Sequence, residues 1–74
     1  MRHLNPIESR VLACVTEHPA ITADTIAAVI KEPIYSVQSA LGALQRGGAA
    51  EPARYAYGAR RRWVATEEGR RHVA

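Results

Sequence analysis

The chain has 74 residues, 47% of them apolar and 23% charged, with a formal net charge of +3. That is room for one domain, 1–74, with one small core, too apolar for a disordered polyelectrolyte, and without any run near the roughly 20 apolar residues of a membrane span. The opening "MRHLNPIESR" lacks the apolar stretch of a secretory signal, and a single cysteine, Cys14, leaves no intrachain disulfide, so a reducing, cytoplasmic setting is expected.

The first helix is expected in "NPIESRVLACVTEH". Asn5 suits the N-cap, Pro6 the first helical position, and Glu8 can reach back to complete a capping box. Ile7, Val11, Cys14, Val15 and His18 follow helical spacing, with Leu12 widening the stripe. Pro19 stops the helix near His18, which either caps the helix end or borders the core. Cys14 on this apolar face reads as a buried structural thiol. The second helix is expected in "ITADTIAAVIK", with Thr22 as N-cap and Asp24 in the first turn. Ile21 and Ile26 bracket the cap as a hydrophobic staple. Ile26, Val29 and Ile30 form the expected buried face, Ala23, Ala27 and Ala28 allow a close helix approach, and the helix ends near Lys31.

The third helix is expected in "PIYSVQSALGALQRGG", opened by Pro33 at its first position. Val37, Ala40, Leu41 and Leu44 make its inner stripe, with Ile34 at the edge, and Gly47 or Gly48 supplies a left-handed cap. The opposite stripe is Tyr35, Ser39, Gly42 and Arg46, flanked by Ser36 and Gln38. It is polar yet carries no acid, whereas a merely solvated face mixes both signs. After Pro52, "RYAYGARRRWVAT" reads as a β-hairpin turning at Gly58-Ala59. A two-residue turn there pairs Tyr57 with Arg60, Tyr55 with Arg62 and Arg54 with Trp63. One face then carries Tyr55, Tyr57, Arg60, Arg62 and Val64, the other Arg54, Ala56, Arg61, Trp63 and Ala65. Trp63, the largest apolar group, places its face toward the helices; the opposite register, with Val64 and the tyrosines inside, is the alternative. "TEEGRRHVA" ends as a short helix capped by Thr66 and weakened by Gly69.

The charge is unevenly placed. Residues 1–45 hold Arg2, Arg10 and Lys31 against Glu8, Glu17, Asp24 and Glu32, a net −1; residues 46–74 hold seven arginines against Glu51, Glu67 and Glu68, a net +4. Arginine's planar fork suits phosphates and base edges, and a basic half on a neutral domain points to a polyanionic partner. Catalysis finds little support. Glu67 and Glu68 are adjacent and diverge on a helix; His3, His18 and His72 have no metal-ligand spacing; Cys14 lies on a face expected to be buried; no glycine-rich phosphate loop occurs. Neither an enzyme nor a cofactor is expected.

Three helices followed by a hairpin is the order of a winged helix-turn-helix, an α+β fold with a three-helix core, a two-stranded wing hairpin and a short C-terminal helix. "ITADTIAAVIKEPIYSVQSALGALQRGGAAE" resembles the core of bacterial winged-helix regulators of the MarR and PadR type. The resemblance rests on Ile21-Thr22, Ile26-Ala27, Val37, Leu41, Leu44 and Gly48. "RRRWVATEEGRR" is similar to their wing strand at Trp63, Thr66 and Gly69, with Ala65 in place of leucine. It covers about residues 5–72. Two departures stand out: Ala49-Ala50 replaces a larger aliphatic pair, leaving a thin core there, and the long flanking helices that dimerise those regulators and hold their effector pockets are absent.

The resemblance implies a bacterial or phage transcriptional regulator binding double-stranded DNA, nucleoid-associated when bound. The third helix would enter the major groove and the wing would lie on the backbone or minor groove. The contact residues expected are Tyr35, Ser36, Gln38, Ser39 and Arg46 on the helix and Arg54, Tyr57, Arg60, Arg61 and Arg62 on the wing. A monomer or weak homodimer is expected. Three other readings stay open: a winged-helix protein-interaction module, an architectural or excision factor of a mobile element, and binding to RNA in place of DNA.

Overall fold

Three of the described helices start where a side chain accepts from an amide of the first turn, and the other follows a proline. The computed structural model describes residues 3–53 and 61–73, which form α1 (Pro6–Glu17), β1 (Ile21–Thr22), α2 (Ala23–Ile30), α3 (Ile34–Arg46), β2 (Ala50–Pro52), β3 (Arg62–Ala65) and α4 (Glu67–Val73). At α1 the capping box is complete: the Glu8 amide donates to Asn5 Oδ1 at 2.8 Å and the Asn5 amide donates to Glu8 Oε1 at 3.2 Å. Thr22 caps α2 by accepting from the Thr25 amide at 3.3 Å. Lys31 closes that helix in the left-handed region, φ 59°, while Arg10 reaches across from α1 to the Ile30 carbonyl and pairs with Glu32 at 3.1 Å. The guanidinium thus supplies donors to a helix end that has carbonyls to spare.

Two details, at Pro33 and Val29, differ from the sequence expectation, and of the two glycines expected to supply the left-handed cap one does so. Pro33 precedes α3 as its N-cap, without a capping side chain, and Ile34 is the first helical residue. The left-handed glycine after α3 is Gly48, φ 79°, whereas Gly47 stays right-handed. Val29 is 55% exposed, because half-buried Ala23 and Ala27 carry the inner face of α2 to the other side of Ile26. His18 ends α1 through its backbone amide, bonded to the Cys14 carbonyl at 3.0 Å, and its side chain is exposed.

The sheet is antiparallel in the order β1-β3-β2. β1 was not foreseen, because two residues are too few to show a strand period. It pairs Ile21 with Trp63 and Thr22 with Arg62. On the other side Ala50 faces Ala65, Glu51 faces Val64 and Pro52 faces Trp63. Trp63 was expected opposite Arg54, so the register is displaced by two residues. A displacement by two keeps every side chain on its expected face: Trp63 and Ala65 are buried and Arg62 is exposed. The turn expected at Gly58-Ala59 lies outside the described residues.

Val11, Leu12, Val15, Ile26, Val37, Leu41 and Leu44 are fully buried, and Trp63, 6% exposed, closes the same cluster from the sheet. α4 seals the far edge. Thr66 caps it, accepting from the Gly69 amide at 3.0 Å, and the Thr66 amide donates to the Ala49 carbonyl at 3.0 Å. Ala49 and Ala50 are buried, so the thin core read there is the seat of α4. Among the described residues no helix is long and apolar enough to cross a membrane.

Candidate nucleic-acid interface

The inner stripe of α3 is held so firmly that its outer stripe is fixed in direction. With Val37, Ala40, Leu41 and Leu44 buried, the helical period turns Tyr35, Ser39 and Arg46 outward. All three are exposed, Tyr35 at 72%. Arg46 leaves the last turn and folds back along the helix: its Nη1 lies 3.4 Å from where a Cβ on Gly42 would stand.

Two hollows flank this outward stripe and divide the expected helix contacts between them. On the wing side a groove of about 500 Å³ runs between the start of α2, α3 and the start of β3, and its polar lining includes Thr22, Asp24, Gln38, Gln45 and Arg61. On the other side Tyr35, Ser36 and Ser39 border a smaller hollow against Asn5 and Glu8 at the α1 start. Gln38 therefore belongs with Arg61, while Tyr35, Ser36 and Ser39 belong with the first helix.

The wing cations divide in a similar way. The Arg61 guanidinium stands 6.0 Å from the centre of the Trp63 ring, within cation–π range, which holds it at the mouth of the groove. Arg62 points out on the opposite face, and its Nη1 donates to the Ala20 carbonyl at 2.9 Å. Ala20 itself sits at φ 67°, so one arm of Arg62 steadies the tight turn ahead of β1. Arg54, Tyr57 and Arg60 lie outside the described residues.

Sequence reading missed Gln45, Thr22 and Asp24 as parts of the groove. Gln38, Gly42 and Gln45 fall at i, i+4 and i+7, a spacing that places them along one helix side, so Gln45 was within reach of periodicity. The α2 residues were not, because their approach to Arg61 depends on β1 pairing with β3.

The site has the makings of a binding surface. Among the described residues no three of His, Cys, Asp and Glu converge as metal ligands. Burial, helped by the Glu17 carboxylate, pushes the Cys14 thiol above its ordinary value, so the cysteine stays protonated and hidden.

No family model matches the chain, and no curated protein does. Solved structures do match. FabT of Streptococcus pneumoniae, solved in complex with DNA, superposes with a TM-score of 0.85 at 18% identity, over 95% of this chain and 50% of that one. A MarR family transcription regulator gives 0.87 at 18% identity, over 95% and 47%. A variant of MepR from S. aureus bound to an oligodeoxyribonucleotide gives 0.82 at 18% identity, over 95% and 53%. The chain spans about half the length of these proteins.

Proposed function

The chain has the winged-helix fold of MarR-type transcription regulators, and we propose that it binds double-stranded DNA as the recognition domain of such a regulator. The observation that carries this reading is the outer face of α3: polar, acid-free, ending in Arg46 and bordered across a groove by Arg61. α3 enters the major groove, and the wing lies on the neighbouring backbone or minor groove. The wing arginines hold phosphates, while Tyr35, Gln38 and Ser39 face base edges. Binding rather than catalysis is the activity of this surface. Two of the structural neighbours were solved with DNA, which supports the same assignment.

Among the described residues the large exposed apolar side chains are Val29, Ile34, Tyr35 and Val73. So small an apolar set supports the reading that the chain is a monomer or weak dimer by itself, since an obligate dimer buries a larger apolar interface. Sedimentation at micromolar concentration checks that point. The test of the binding reading is a gel shift with random-sequence duplex DNA at rising salt. Retarded complexes at low salt that dissociate steeply as salt rises support it; no retardation at low salt removes it and leaves a protein-interaction module.

A further inference from the structure

The outer stripe of α3 carries one cation, and it comes from the last turn of the helix. A long side chain leaving that turn either trails past the C-terminus or lies back over the preceding turn, the direction in which helical Cα–Cβ bonds lean. Arg46 lies back. Its Nη1 would stand 3.4 Å from a Cβ on Gly42, one turn earlier. Glycine in a helix interior is less favourable than alanine. Here the backbone does not require it: Gly48 is the glycine with positive φ among the described residues. A methyl group would still leave ordinary contact at 3.4 Å, so what the position provides is the absence of any longer side chain, which leaves room on the outward face for a guanidinium.

We propose that Gly42 is a notch that seats the Arg46 guanidinium across the middle of α3, making Arg46 a reader of a guanine edge rather than a phosphate clamp. Gly42 is the positioning residue, and the inference rests on the DNA-binding reading above. A recognition helix meets base edges mainly through its N-terminal residues and outward face, and reaches the phosphate strands from its C-terminal end and flanks. An arginine trailing past residue 46 would reach the backbone. Drawn back over Gly42, its fork of parallel donors is turned toward the earlier turns of α3, where guanine O6 and N7 would present two acceptors. Arg46 takes part in none of the ion pairs Arg10 with Glu32, His18 with Glu17 and Arg71 with Glu67.

The experiment selects duplexes from a randomised library with the intact chain. It then measures affinity and salt dependence on the selected duplex, on the same duplex with each G·C pair replaced singly, and on random DNA. Wild type, Arg46→Ala, Arg46→Lys, Gly42→Ala and Gly42→Leu are compared, with circular dichroism confirming that each is folded. One G·C pair is expected whose replacement weakens wild type about 5- to 150-fold, the discrimination of a good bidentate pair. Arg46→Ala should lose the same factor on the intact site and lose nothing more when that pair is replaced. Arg46→Lys should also lose it, since a point charge has no fork. Gly42→Leu should reproduce the Arg46→Ala pattern, while Gly42→Ala, whose Cβ still leaves ordinary contact, should keep the preference. Equal weakening of all duplexes by Arg46→Ala, with a salt slope lower by about one, would make Arg46 a phosphate clamp and overturn the inference while DNA binding stands. A folded Gly42→Leu that keeps the guanine preference would overturn the notch. Should Gly42→Leu not fold, the Arg46 variants and their G·C dependence decide alone. Wild type that binds no duplex at low salt overturns both this inference and the reading beneath it.

Discussion

Gly69 of α4 stands against the backbone of Ala49 so closely that a methyl group on its Cα would lie 2.0 Å from the Ala49 carbonyl oxygen. The contact is with backbone and cannot be relieved by turning a side chain. Helix propensity alone favours Gly69→Ala by about 1 kcal/mol; forcing the methyl into this contact costs on the order of 1–3 kcal/mol. The contact wins, so Gly69→Ala should lower the denaturation midpoint. Gly42→Ala, on an open helix face, should raise it. If both substitutions stabilise the protein, α4 does not dock on Ala49.

Trp63 closes the core from the middle strand, 6% exposed. Trp63→Ala should destabilise the domain by about 3–5 kcal/mol, close to the whole stability a core of this size supplies. Its fluorescence should be blue-shifted in the native state and move to the red on unfolding. An indole that already emits as in water before unfolding would contradict the strand faces.

Arg61 and Arg62 are neighbours on opposite faces, and their substitutions should separate binding from stability. Arg61→Ala should weaken all duplexes about equally and reduce the salt slope of log affinity by about one. Arg62→Ala should do the same and in addition lose the bond to Ala20, an exposed contact worth about 1 kcal/mol or less. Thermal melts beside the binding series check the pair; a stability loss larger for Arg61→Ala than for Arg62→Ala would reverse the roles.

Cys14 gives a pH signature. In the unfolded chain the thiol ionises at its ordinary value of 9.0, while in the fold burial, with Glu17 adding to it, holds ionisation higher. Above about pH 9 the unfolded state therefore releases a proton that the folded state keeps, and stability falls as pH rises. Below that value the contribution is fully present. Cys14→Ala should show a shallower loss between neutral and alkaline pH, and iodoacetamide should label native Cys14 much more slowly than the unfolded chain. Rapid native labelling would place the thiol at the surface.

Much of the fold was legible because its signals are local. Asn5 with Glu8, Thr22, Gly48 and Thr66 each mark a helix end through a bond to a residue close in sequence. The inner stripe of α3 follows from period alone. What escaped depends on contacts far apart in the chain. β1 exists only because Trp63 and Arg62 pair with it; the Pro52 partner of Trp63 follows from where β2 leaves α3; Gly69 reads as a weak point until Ala49 is seen beneath it. Of the site, the outward direction of Tyr35, Ser39 and Arg46 was readable, as was the shared strand face of Arg61 and Trp63. The turning-back of Arg46 onto Gly42 and the tether from Arg62 to Ala20 were not, because rotamers answer to space and not to spacing.

The most direct measurement is the affinity of the wild-type chain for duplex DNA as a function of salt, set beside Arg61→Ala and the helix variants Tyr35→Ala and Ser39→Ala. Log affinity should fall linearly with log salt, and Arg61→Ala should flatten the line while weakening every sequence alike. Tyr35→Ala and Ser39→Ala should weaken a selected site more than random DNA. Binding that ignores salt, or that none of these substitutions changes, would contradict a DNA surface on α3 and the wing.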